Sequence, residues 1–224
     1  MDWQAFALSA RLAATVSVIL LGLALPLAYW LSVTRFRGRF LIEALVSLPL
    51  ILPPTVLGFY LLTLLGARSP IGRWWMAWTG HGLAFTFDGL VVASLFYSLP
   101  FAVQPMAASF AQLDPGLREA SAVLGVSRLR TFLRVTLPLS FEGILTAVVL
   151  TFAHTIGEFG IVLMVGGNLP GITRTVSIAI YDDVQGLRYD EAAATALALL
   201  VLSFGLLAAV YGIRRRPWAA APIA

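Results

Sequence analysis

Between Arg11 and Arg35 the chain carries no charged residue, and Ala44 to Ala67, Gly89 to Leu113 and Ala192 to Ile213 are equally free of charge. Each run is long enough for the roughly 20 apolar residues that a helix needs to cross about 30 Å of hydrocarbon. A further run, Leu137 to Ile161, is interrupted only by Glu142 near its start and Glu158 near its end. The sequence therefore predicts an all-α integral membrane protein of about five transmembrane helices, organised as a single domain over residues 1–224.

Composition supports the same class. Charged residues make up 12% of the chain and hydrophobic ones 59%, with a mean hydropathy of +0.89; soluble domains carry about a quarter charged residues. The amino-terminal run holds Asp2 and Arg11 and exceeds the apolar core of a secretory signal, so it is read as a retained span. Disulfides, thiolate metal sites and thiol catalysis are excluded because the chain has no Cys.

All 15 basic residues are Arg. Their placement between apolar runs indicates membrane orientation rather than a nucleic-acid surface. Threading the spans alternately puts Arg35, Arg37, Arg39, Arg118, Arg128, Arg130, Arg134, Arg214, Arg215 and Arg216 on one side. Arg11, Arg68, Arg73, Arg174 and Arg188 fall on the other. The positive-inside rule makes the first side cytoplasmic, with the amino terminus outside and the carboxyl terminus inside. Arg128, Arg130 and Arg134 are expected to lie against anionic lipid at the inner surface.

Ser69 to Asp88, with Trp74, Trp75 and Trp78, is too short and too aromatic for a span and suits an outer interfacial loop or short helix. Val162 to Tyr189, with Gly166, Gly167, Pro170 and Gly171, reads as a re-entrant segment or an outer gate loop. Pro26, Pro49, Pro53, Pro54, Pro100 and Pro105 fall inside apolar runs, where each removes a helix hydrogen bond and favours a kink. No internal repeat and no phosphate-binding G-x-x-x-x-G-K loop is present.

The most informative hydrophilic segment is 114–138. Asp114 can cap a helix with Pro115 in its first position, and Leu117, Ala120, Val123 and Leu124 continue it to a stop at Gly125. A basic second helix follows, so the segment is a two-helix elbow suited to docking a soluble partner. Glu119-Ala120-Ser121, Gly125 six positions beyond Glu119, and Leu137-Pro138 resemble the E-A-A, Gly and L-P signature of binding-protein-dependent ABC importer permeases, type I in their transmembrane domain. Ser121 stands where Ala is usual and Val135 where Ile is usual. The resemblance covers nearly the whole chain and narrows to molybdate permeases through Leu48-Pro49-Leu50-Ile51-Leu52-Pro53-Pro54-Thr55-Val56-Leu57-Gly58, Gly157-Glu158-Phe159-Gly160 and Asn168-Leu169-Pro170-Gly171. Sulfate and thiosulfate permeases share the last two.

This resemblance implies a plasma (inner) membrane permease subunit that is not itself an enzyme and carries no cofactor. It would work as a homodimer with cytoplasmic ABC ATPase subunits and an external molybdate-binding protein, passing molybdate or tungstate. Residues 114–138 would be the cytoplasmic coupling elbow, with Glu119, Ala120, Ser121, Gly125, Leu137 and Pro138 coupling it to the ATPase. Glu158, with Gly157 and Gly160, is expected to serve structure or gating, since a carboxylate repels an oxyanion. Thr55, Ser94, Ser98 and Gln104 offer uncharged polar groups on the middle spans. His81 and His154, the only histidines, are read as ordinary polar residues rather than metal ligands, for want of partners at ligand spacing. The competing readings are a sulfate or thiosulfate permease of the same design and a secondary carrier driven by an ion gradient. A carrier calls for charges deep in the spans and repeated halves. A scaffold without transport and a membrane enzyme complete the alternatives, and the enzyme lacks a candidate nucleophile with an oriented base.

Overall fold

The computed structural model describes residues 2–213, and the regular structure among them is helical throughout. Arg214, Arg215 and Arg216, and with them the expected cytoplasmic carboxyl terminus, lie outside the described residues.

Helix α1 spans Trp3–Val33 and starts where the Asp2 side chain accepts a hydrogen bond from the Ala5 amide. It begins ahead of Arg11, whose guanidinium lies over the Phe87 ring, 4.4 Å from its centroid. Leu12, Val16, Leu20, Ala24 and Ala28 repeat every fourth position and are fully buried, forming the stripe that packs against the middle of the molecule.

The uncharged run from Ala44 to Ala67 is not one continuous helix. It divides into α2 (Arg39–Ile51) and α3 (Pro54–Leu65), which meet at 111°. Pro53 and Pro54 both lack an N–H, and each drives the residue before it out of the helical region. Leu52 and Pro53 are accordingly extended, with ψ 136° and 135°. Single prolines did not break their helices: α1 runs on through Pro26, and α5 (Phe87–Ala111) through Pro100 and Pro105. Between these elements lies α4 (Pro70–Thr79), capped by Ser69, with Trp74 stacked on Trp78 at 5.9 Å and both rings exposed. The aromatic segment 69–88 is thus a short helix and a loop that runs into the first residues of α5.

The elbow consists of α6 (Pro115–Val123) and α7 (Arg128–Thr131). Phe132–Thr136 then forms a wide π turn that leads into α8 (Leu137–Leu139). Pro138 cannot donate to the carbonyl four residues back and its ring crowds that carbonyl, which explains the widened turn just before it. A 72° bend separates this arm from α9 (Phe141–Ile156). The run from Leu137 to Ile161 is likewise not one helix: α9 stops at Ile156, and α10 (Gly160–Gly166) starts after a break at Gly157-Glu158-Phe159. Beyond it, α11 (Val176–Gln185) packs on α12 (Tyr189–Ile213).

Among the described residues three helices, α1, α5 and α12, are long and apolar enough to cross a bilayer, or up to five spans if each of the two bent pairs counts as one. The core joins α1, α5 and α9, with α10 filling the angle between α3 and α5. Small residues set its spacing: Gly143 of α9 faces Ser109 of α5 so closely that any side chain at 143 would collide with it.

Candidate functional site

The sequence-derived site residues fall into two groups along α5, one beyond its carboxyl-terminal end and one beside its first half. Glu119, Ala120, Ser121 and Gly125 lie on the elbow beyond its carboxyl-terminal end. Gly157, Glu158 and Gly160 form the α9–α10 break, beside Ser94 and Ser98 in the first half of α5. At 1.5 Å per residue, Ser98 lies roughly 20 Å along the helix from its end.

The elbow is built by local signals. Asp114 accepts from the Gly116 amide at 2.9 Å, as an N-cap should. At the other end of α6, Gly125 takes the left-handed conformation with φ +72°. Its amide donates to the Ala122 carbonyl and the Val126 amide donates to the Ser121 carbonyl, each at 3.0 Å. This paired arrangement closes a helix on a glycine. Ser121 Oγ also donates to the Leu117 carbonyl at 2.8 Å. No residue of α6 is buried; Val123 and Leu124 are 88% and 80% exposed, an apolar edge beside the exposed Glu119. Leu137 and Pro138 stand apart, across the π turn. Pro138 lines a cleft of ≈ 670 Å³ with Ser109, Gln112 and Glu142 at the root of the arm.

The second group surrounds a buried carboxylate. The Glu158 side chain is wholly enclosed. Ser94 Oγ donates to its Oε2 at 2.6 Å and Ser98 Oγ to its Oε1 at 2.8 Å. His154 Nδ1 lies 3.4 Å from the same Oε1 and 3.0 Å from Ser98 Oγ, and Thr155 Oγ1 lies 2.8 Å from Ser98 Oγ. An ionisable group inside a span is tolerated only with such partners, because an unpaired one is costly there. The cluster pins α5 to the point where α9 breaks.

His154, read from the sequence as having no partner at ligand spacing, is paired with Glu158 four residues on. It lies one helical turn before Glu158, faces it, and stacks on Phe101 with ring centres 3.9 Å apart and Tyr97 at 4.8 Å. The four-residue spacing to Glu158 was the available signal. His81 stays at the surface, 3.8 Å from Asp88. Ser94 and Ser98 both join the cluster, whereas Gln104 donates to Ser47 of α2 and Thr55 is exposed on α3. The segment that follows is tied down: Thr173 Oγ1 donates to the Gly166 carbonyl, and Asp182 receives both Arg174 and Asn168, at 2.8 and 2.7 Å.

Comparison with known proteins gives a consistent result. Residues 21–216 match the family described as binding-protein-dependent transport system inner membrane component. The molybdenum transport system permease protein ModB of Azotobacter vinelandii is 47% identical over 96% of this chain and 95% of its own length. ModB of Escherichia coli (strain K12) is 36% identical over 82% of this chain and 80% of its own. The sulfate transport system permease protein CysT of the same strain is 34% identical over 86% of this chain and 69% of its own. A bacterial alginate ABC transporter solved with a pentasaccharide-bound periplasmic protein matches with a TM-score of 0.76 at 18% identity, covering 95% of this chain and 78% of that one. That likeness establishes the fold of an ABC transporter membrane subunit. The apolar helices, the broken spans and the near-complete match agree: this chain belongs to the family of binding-protein-dependent transport system inner membrane components, as a multi-pass permease subunit that is not itself an enzyme.

Proposed function

We propose that this chain forms the transmembrane path of an ATP-driven importer for molybdate, with tungstate as a near-equivalent substrate. The observation that carries the substrate is the 47% identity to a molybdenum permease along almost the whole chain, against 34% to a sulfate permease. A homodimer around a central path, two ATPase subunits on the cytoplasmic side and an external molybdate-binding protein complete the assembly. The Arg distribution supports an outer amino terminus and a cytoplasmic elbow.

In this reading residues 114–138 couple the permease to the ATPase. Exposed α6 and the apolar edge at Val123 and Leu124 present the docking surface, Glu119 adds a charge to it, and the closure at Gly125 holds α6 and α7 at their angle. Arg128, Arg130 and Arg134 sit on the same side and meet lipid headgroups. Nucleotide binding would move the elbow, and α5 with the α9 arm would carry the change to Gly157-Glu158-Gly160, where the outer gate opens. The two-state element is the pair of inner and outer openings, and nucleotide biases it through the elbow. Selectivity rests chiefly with the binding protein; the path needs only hydroxyls and backbone amides to receive a divalent anion.

The test is ATP-dependent uptake of labelled molybdate into vesicles holding this chain with its ATPase and binding protein. Tungstate should compete and sulfate should not. Competition chiefly by sulfate would transfer the substrate to the sister group, and uptake that follows an ion gradient without ATP would sink the importer reading.

A further inference from the structure

We propose that His154 is the positioning residue of the gate: through Ser98, its Nδ1–H sets the place of the Glu158 carboxylate and so holds α5 against the α9–α10 break. The inference rests on the gating role given to Glu158 above and names what controls it.

A serine hydroxyl has one proton to give and two lone pairs. Ser98 Oγ has three polar neighbours, Glu158 Oε1 at 2.8 Å, Thr155 Oγ1 at 2.8 Å and His154 Nδ1 at 3.0 Å. With Glu158 as a carboxylate, which accepts only, the single Ser98 proton goes to it, and the Thr155 hydroxyl and the imidazole both donate. His154 thus carries a proton on Nδ1, and Ser98 is saturated. Ser94 Oγ occupies the other carboxylate oxygen at 2.6 Å. Ser94 and Ser98 are 0% exposed and Thr155 is 2% exposed, with the His154 side chain 19% exposed, so the three hydroxyls depend on protein partners for their hydrogen bonds. The histidine itself is held by its ring, stacked on Phe101 and tilted against Tyr97 of α5. Arg174, the cation of the segment after α10, is engaged by Asp182 rather than by Glu158. His154 is therefore the cationic-capable group that reaches the carboxylate among the described residues.

Two substitutions separate the hydrogen bond from the packing. His154→Asn keeps an N–H near the Nδ1 position and loses the ring. His154→Phe keeps the ring against Phe101 and Tyr97 and loses the donor. Ser98→Ala removes the relay with almost no change of volume. Each is made in the full chain, assembled with ATPase and binding protein in proteoliposomes, and read as anion uptake per ATP hydrolysed. A second readout uses spin labels at introduced Phe96→Cys and Leu169→Cys, compared with and without vanadate-trapped nucleotide; the chain has no native Cys to interfere.

The expected result is that His154→Phe and Ser98→Ala each lower uptake per ATP at least fivefold, and that the nucleotide-free complex then populates the nucleotide-bound label distance. His154→Asn should stay within twofold of the parent, and His154→Phe with Ser98→Ala should be no worse than either alone. A His154→Phe protein within twofold of the parent, a His154→Asn protein as impaired as His154→Phe, or additive losses in the double variant would overturn the proposal. The label distance needs no transported anion, so a parent complex that ignores molybdate but shows the nucleotide-dependent distance sinks the substrate alone. A parent with no such distance change sinks the gate and this inference together.

Discussion

Gly160 lies against Pro54 so closely that a Cβ at position 160 would stand 2.9 Å from the proline Cβ. One residue opens α10 and the other opens α3, so the contact joins the breaks of two interrupted spans. One turn further along, a Cβ at Gly58 would come within 2.8 Å of Met164 Cβ. The two short helices therefore meet nearly backbone to backbone, which small residues permit and larger ones do not.

Gly160→Val should destabilise the protein by about 1–3 kcal/mol through overpacking, seen as a lower melting temperature in detergent. Gly157→Ala supplies the contrast. A Cβ there would meet nothing nearer than 3.7 Å and the backbone is ordinary, with φ −92°, so its effect should stay within about 0.5 kcal/mol. Equal losses at both positions would contradict the close-contact account.

At the elbow the expectation is loss of function without loss of fold. Glu119→Arg and a bulky replacement at Gly125 should abolish ATP-driven uptake while membrane insertion persists, with detergent stability unchanged in Glu119→Arg. The space around Gly125 is open, so the cost there is conformational, about 1–2 kcal/mol for a side chain in the left-handed region. Copurification of the ATPase with each variant is the measurement, and wild-type uptake in either would remove the elbow from the coupling path.

Glu158→Leu leaves the buried Ser94 and Ser98 hydroxyls without their acceptor and should cost about 2–6 kcal/mol, at about 1–3 kcal/mol for each stranded donor. Glu158→Gln retains one acceptor and the shape, and should cost about 1–3 kcal/mol. Thermal unfolding of the purified chain orders the two; a leucine variant more stable than the glutamine one would mean that the cluster does not need its carboxylate.

Reporter fusions placed after Arg39 and after Leu124 should both report cytoplasm, and one placed after Gly80 should report the outside. An external signal from either of the first two would reverse the orientation drawn from the arginines.

Much of this was legible along the chain because the signals are local. A proline pair that cannot donate, an Asp-Pro helix start and a glycine stop act within a few residues, so the elbow and its capping follow from 114–125 directly. The break within 44–67 was also written there, in Pro53-Pro54, yet an uncharged run reads as one span until the cost of two adjacent missing donors is counted. The buried cluster was harder to see. Ser94, Ser98, His154 and Glu158 occur in two distant segments, and only the spacing of His154 and Glu158 on one helix face hinted at it.

What the sequence by itself determined is the solvent this protein folds in, the apolar runs, much of the punctuation at their ends and the family. These follow from hydropathy, from the chemistry of proline, glycine and capping side chains, and from motif spacing, none of which needs a partner across the fold. Tertiary structure alone decided that α5 lies against the α9–α10 break, that Gly160 touches Pro54, and that Glu158 finds two serines and a histidine. A buried carboxylate is tolerable only where donors converge on it, and convergence from separate helices is a property of their packing rather than of any one of them.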